Sequence, residues 1–253
     1  YRVAVLDVKE NDAYYAKQAG AETTTYLMTE TLRPITEPTR QFKDLIRNAS
    51  ATTYLLEGRF PEKPFRGFMV SEGGKHGRIC MMPGLTRDMM ERLVNVDFSE
   101  MDKFTKKVMR AMKDAEDVVV ENPAGTRIAF SVKGRAWHND NGNISKKHMH
   151  GNLPAGECYT APMWLHGRIV TNLLGDFFSE KYKELKPPMA FDVKDSRLQL
   201  ESISGAHSEV IREFKEYLTS DPLGTRAGEF AMGTNLALTR LVGNLLQDEK
   251  IPG

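Results

Sequence analysis

The sequence predicts an α/β N-terminal domain with a parallel sheet over residues 1–95, followed by an α+β C-terminal domain over 96–253. Three observations predict it. Short β-branched apolar runs alternate with helical patterns in the first third of the chain, the pattern of parallel strands joined by crossover helices. Beyond residue 118 strands dominate, and residues 189–203 pattern as a hairpin with alternating apolar positions. A length of 253 residues suffices for two cores.

The first domain opens with VAVLDV (3–8), a buried-strand pattern, and NDAYYAKQAGA (11–21), a short helix with Asn11 or Asp12 as cap and Gly20 as stop. TTTYLM (23–28), TTYLLEG (52–58) and GRICMMPG (77–84) supply further strands. TRQFKDLIRNA (39–49) is a helix that turns Phe42, Leu45 and Ile46 to one face. Gly73 and Gly74 have neither the GxGxxG spacing nor a GK[ST] ending, so this sheet is expected to be structural and not a nucleotide site.

TRDMMERLV (86–94) reads as a short helix. In EMDKFTKKVMRAMKDAE (100–116), Phe104, Val108, Met112 and Ala115 form an apolar stripe opposite Lys103, Lys106, Lys107 and Arg110, which read as a solvated face. VVVENPAGTRIAFSVKG is two strands about the turn Asn122–Gly125. GRIVTNLL (167–174) is another strand; Ser208 caps SEVIREFKEYL, with Val210, Ile211, Phe214 and Leu218 facing inward. GEFAMGTN (228–235) leads into LALTRLVGNLLQ (236–247), which patterns as an apolar-faced helix.

Between the strand patterns lies a polar, turn-rich stretch, residues 137–162, read as a long functional loop. It holds Asp140, Glu157, His138, His148 and His150. Glu157, in NLPAGE, and Glu229, in AGEFAMGTN, are both framed by glycine turns. Carboxylates mounted this way can bridge divalent cations and lower the pKa of a shared water; equally, a Glu beside Gly is an ordinary solvent-facing residue. The pair His148 and His150 follows two lysines, which favours a packing role over metal binding. No HExxH, CxxC or GxSxG motif occurs.

A net charge of +1 argues against whole-chain attraction to nucleic acid or anionic lipid, and no apolar run approaches the roughly 20 residues that span a bilayer. Cys80 and Cys158 make no disulfide framework, and with no leader pattern the expected compartment is a reducing cytoplasm.

Six motifs together resemble the aminopeptidase T family of metallopeptidases: MMPGLTRDMM, ENPAGTRIAFSVKGR, NDNGN, HGNLPAGECYTAP, GEFAMGTN and GNLLQDEKIPG, in that order. The resemblance implies a homodimeric metallo-aminopeptidase that hydrolyses N-terminal residues from peptides with two divalent ions, zinc or cobalt. It implies Glu157 and Glu229 as metal ligands. Asn152 and Asn235 are candidates to orient those carboxylates, or simply turn-formers. A related branch comprises iron(II) ring-opening dioxygenases acting on dihydroxypyridines. The family's further ligands, a His, a Tyr and a His-x-Asp pair, lie beyond the point matching Gly253, so the metal-site domain is expected to be incomplete and inactive without them. A non-catalytic binding protein is the third alternative.

Overall fold

The computed structural model describes residues 2–7, 13–56, 59–86, 89–175, 177–241 and 245–252. Its contacts group these residues into two units, 1–101 with 140–156 and 235–239, and 102–139 with 157–234 and 240–253. Residues 140–156 and 235–239 thus belong with the first unit, where a single boundary after residue 95 assigns them to the second.

The first unit is built on a parallel sheet of order β2-β1-β3-β4-β8, formed by β1 (Arg2–Asp7), β2 (Glu22–Leu27), β3 (Ala51–Tyr54), β4 (Ile79–Met81) and β8 (His150–Asn152). Its helices are α1 (Ala13–Gln18), α2 (Arg40–Asn48) and α3 (Lys63–His76). The expected cap of α1 at residues 11–12 lies outside the described residues. Thr39 caps α2, its hydroxyl accepting from Phe42 N–H at 3.2 Å. Phe42, Ile46, Phe65, Met69 and Ile79 are buried together, with the Phe42 and Phe65 ring centroids 4.4 Å apart. Beside this core Arg33 and Glu62 form a buried ion pair, Nε to Oε1 3.0 Å and Nη2 to Oε2 2.5 Å, and Ile35 N–H adds a bond of 3.1 Å. A buried charge needs such saturation, because an unpaired one is costly outside water.

Helix α4 (Phe98–Ala111) follows. On it Met101 and Thr105 are the buried positions, Phe104 and Val108 only half-buried, and the lysine face is exposed. The second unit has an antiparallel sheet of order β12-β11-β10-β6-β5, from β5 (Asp117–Glu121), β6 (Arg127–Ser131), β10 (Trp164–Thr171), β11 (Met189–Lys194) and β12 (Arg197–Leu198). The β11–β12 hairpin turns on Asp195 and Ser196, both at positive φ (50° and 59°), the backbone a two-residue hairpin loop requires. Helices α5 (Phe177–Tyr182) and α6 (Ser208–Thr219) lay Phe178, Val210 and Leu218 into the core of Phe130, Leu165 and Phe191. His207, not Ser208, stands at the α6 N-cap, and its side chain makes no cap bond. A third sheet, β13-β9-β7, joins β7 (His138–Asp140), β9 (Glu157–Thr160) and β13 (Phe230–Gly233).

Two sequence expectations are corrected. Residues 137–162 are not one irregular loop, since they supply three short strands, β7, β8 and β9. The helix expected over 236–247 is absent up to residue 241, where turns replace it. Asn235 makes them: its side-chain oxygen accepts from Ala237 N–H at 3.1 Å and its carbonyl from Leu238 N–H at 3.0 Å. Of the expected apolar face (Leu238, Leu241, Val242 and Leu245), Leu238 is buried and Leu241 exposed. A short helix, α7 (Leu245–Asp248), ends the stretch. Among the described residues no helix is long and apolar enough to cross a membrane.

Candidate functional site

The first unit holds the bend of NLPAGE. Gly156 has φ 111°, and a Cβ there would stand 2.8 Å from both Asn235 Cβ and Met101 Sδ, so the position excludes a side chain twice over. Gly156 N–H bonds to Asp140 O at 2.9 Å, and Asn235 Nδ2 donates to Ala155 O at 3.0 Å. Asn235 is therefore a clasp on this bend. Asn152 lies in β8, paired with Met81, and serves that sheet.

In the second unit Glu157 begins β9 opposite Gly233 of β13, and Thr160 pairs with Phe230. Gly233 also bridges to Pro252, and a Cβ at Gly233 would meet Ile251 O at 2.1 Å. The bare backbone at Gly233 is what lets residues 250–252 lie so close. Lys250 is thereby carried inward, its side chain 0% exposed, and its Nζ donates to Glu157 Oε1 at 2.5 Å and to Glu249 Oε1 at 2.8 Å. Glu157 is buried and Glu249 partly so. In the sequence a lysine between Glu and Ile reads as solvent-facing. The only signal was its place in the DEKIPG motif.

Glu229 lies elsewhere in the unit. The β9–β13 register sets Phe230 roughly 10 Å along the ladder from Glu157, at about 3.4 Å per residue, and Glu229 is one residue further. It is exposed, beside a cavity of about 330 Å³ walled by Ile128, Leu165, Phe191, Val193 and Phe230, with Arg226 also on its lining. Glu157 and Glu229 thus stand apart along the ladder at their backbones.

Histidines do not complete a ligand set. His148 Nδ1 lies 3.0 Å from Gly74 O, His138 stacks on Tyr159 at 5.1 Å, and His166 accepts from Asp195 N–H at 3.1 Å. Among the described residues no group of three or more His, Cys, Asp or Glu side chains could hold a metal ion. The described residues therefore do not by themselves fit the two-ion site that the aminopeptidase resemblance implies. Both cysteines are buried and free. Burial, with the nearby Asp140 charge, pushes the Cys80 thiol up to about 12; burial and the Glu157 charge push Cys158 up to about 11, so both stay protonated at neutral pH.

No protein-family model and no curated protein matches the sequence. The solved structures give a different answer. The fold is similar to that of 2,5-dihydroxypyridine dioxygenase from Pseudomonas putida KT2440. The TM-score is 0.64 at 14% identity, over 99% of this chain and 78% of that one. At that identity the likeness is one of fold. It covers both the α/β and the α+β parts. The aminopeptidase resemblance rests on the sequence motifs alone.

Proposed function

We propose that this chain is an enzyme that opens the ring of a small dihydroxylated aromatic, of the dihydroxypyridine type, with dioxygen. The observation that carries this reading is the likeness of fold to a dioxygenase along 99% of the chain. The second unit offers a chamber suited to such a substrate: an apolar cavity of about 330 Å³, with Arg226 and Glu229 as polar groups on its lining. Small-molecule sites combine apolar walls with a few polar groups that orient the ligand, at volumes of about 300–1,000 Å³. In this reading the ring lies against Phe191 and Leu165, and Arg226 and Glu229 address its hydroxyl groups. The described residues do not assemble a site for the iron this chemistry employs, so no step is routed through it.

The order of the NLPAGE, GEFAMGTN and DEKIPG motifs favours a second reading, a metallo-aminopeptidase acting on peptides as a homodimer. One experiment separates them. The protein is loaded anaerobically with Fe(II), and oxygen uptake and loss of ring absorbance are followed on 2,5-dihydroxypyridine. A parallel sample with Zn(II) or Co(II) is given leucyl peptides. Stoichiometric oxygen uptake with ring loss supports dioxygenation. Release of free leucine without oxygen uptake overturns it in favour of the peptidase, and light scattering then tests the dimer.

A further inference from the structure

We infer that in this chain the cation neutralising Glu157 is the Lys250 ammonium, and that Glu157 is a positioning residue for the 249–252 segment and not a metal ligand. The inference stands apart from the choice between oxygenase and peptidase, because it concerns which cation Glu157 holds.

Three observations carry it. Lys250 Nζ lies 2.5 Å from Glu157 Oε1 and 2.8 Å from Glu249 Oε1, so one ammonium is shared by two carboxylates. Lys250 has no exposed surface and Glu157 is 7% exposed at its side chain. A carboxylate so placed requires a counter-charge, and Lys250 supplies one. The lysine is also fixed at its backbone: Lys250 N–H bonds to Gln247 O at 2.9 Å, and Pro252 bridges to Gly233, the residue opposite Glu157. For a metal ion to take Glu157 Oε1, the ammonium has to give up that contact. The segment that carries it lies against the backbone of Gly233, where no Cβ stands in the way of the close approach. Finally, among the described residues Glu157 belongs to no group of three or more His, Cys, Asp or Glu side chains that could hold a metal.

The arrangement amounts to a latch. The strand β9 offers the carboxylate, the chain after α7 offers the ammonium, and β13 lies between their backbones with a glycine at the crossing. Removing Lys250 leaves Glu157 buried without that counter-charge, whereas removing Glu157 leaves the ammonium with Glu249, and removing both leaves neither charge of the pair in place.

The test uses the whole chain with Glu157→Gln, Lys250→Met and the double substitution. Each protein is saturated with Zn(II) or, anaerobically, Fe(II), desalted, and measured for bound metal and for thermal midpoint. The expected results are the same metal content in wild type and Glu157→Gln, and a midpoint lowered by roughly 6–20 °C in Lys250→Met, the range for breaking a buried pair in a chain of this size. The double variant should melt no lower than Lys250→Met alone. Loss of bound metal in Glu157→Gln with an unchanged midpoint overturns the inference. So do additive midpoint losses, since independent residues add and coupled ones do not. Should Lys250→Met fail to fold, Glu157→Gln decides the question by the same two readings, bound metal and midpoint.

Discussion

Replacing Gly156 by alanine tests whether the NLPAGE bend is as tightly determined as its geometry indicates. The residue has φ 111°, outside the regions an L side chain adopts readily, and an added Cβ meets Asn235 Cβ and Met101 Sδ at 2.8 Å and Asn235 N at 3.0 Å. Holding a side chain in such backbone costs about 1–3 kcal/mol. Overpacking against neighbours that cannot withdraw costs about 1–3 kcal/mol more. Asn235 cannot withdraw freely, because its amide is committed to Ala155 O and its side-chain oxygen to Ala237 N–H. The sum, about 2–6 kcal/mol, corresponds to a fall in thermal midpoint of roughly 4–24 °C at about 2–4 °C per kcal/mol. Gly67→Ala is the internal control. It lies in the interior of α3 with nothing within 4 Å of the added Cβ, and should raise stability by about 0.5–1 kcal/mol. Thermal scanning of the two variants, with hydrogen exchange of the Gly156 amide, makes the comparison. Equal midpoints for Gly156→Ala and Gly67→Ala would refute the reasoning.

Two further outcomes follow from the same structure. Burial works against ionisation of Glu62, yet the hydrogen bonds from Arg33 and Ile35 N–H, with the Arg33 charge, outweigh it and hold its carboxyl below the usual 4.5. A lowered folded-state value means stability that is complete above the ordinary carboxylate range and lost as pH falls through the folded value, so Glu62→Gln should flatten the acid limb of pH-dependent urea melts; an unchanged limb speaks against it. Ser196→Gly relieves a backbone at φ 59° but removes the hydroxyl that accepts from Leu165 N–H at 3.0 Å. Relief of about 1 kcal/mol is set against about 1–3 kcal/mol for a buried N–H left unmet, so the variant should lose stability, and a raised midpoint contradicts the assignment.

What the sequence discloses follows from how local each signal is. The strands β2 and β3 and the helix capped by Thr39 declare themselves through side chains within a few positions of one another and begin within a residue of where periodicity sets them, although β3 ends at Tyr54, short of the expected 52–58. Helix α3 does not, because Gly67, Gly73 and Gly74 lower its propensity; its place is earned by burying Phe65, Met69 and Gly73. The strands β7, β8 and β9 are three or four residues long and partly polar. Such segments are strands only because a distant partner pairs with them, as β8 does with β4. The stretch 236–241 errs in the opposite sense. Its leucines repeat at helical spacing, but the side chain of Asn235 offers the backbone a turn before a helix can begin. Of the site residues, the glycine framing of Glu157 was visible, while the burial of Lys250 depends on a bridge to Gly233 that no local pattern encodes.

A fold shared at 14% identity transmits backbone paths and the alternation of apolar residues, since these suffice to stack a parallel sheet and an antiparallel one with their helices. A metal site asks for more: particular side chains at particular points, each with its charge uncommitted. Glu157 shows the difference. Strand β9 and its register against β13 would survive almost any residue at position 157, so the fold says nothing about the carboxylate. What that carboxylate does is decided by Lys250, 93 positions later in the chain. An ammonium held between two carboxylates in a closed interior is a different object from a pair of open ligands, even on the same scaffold.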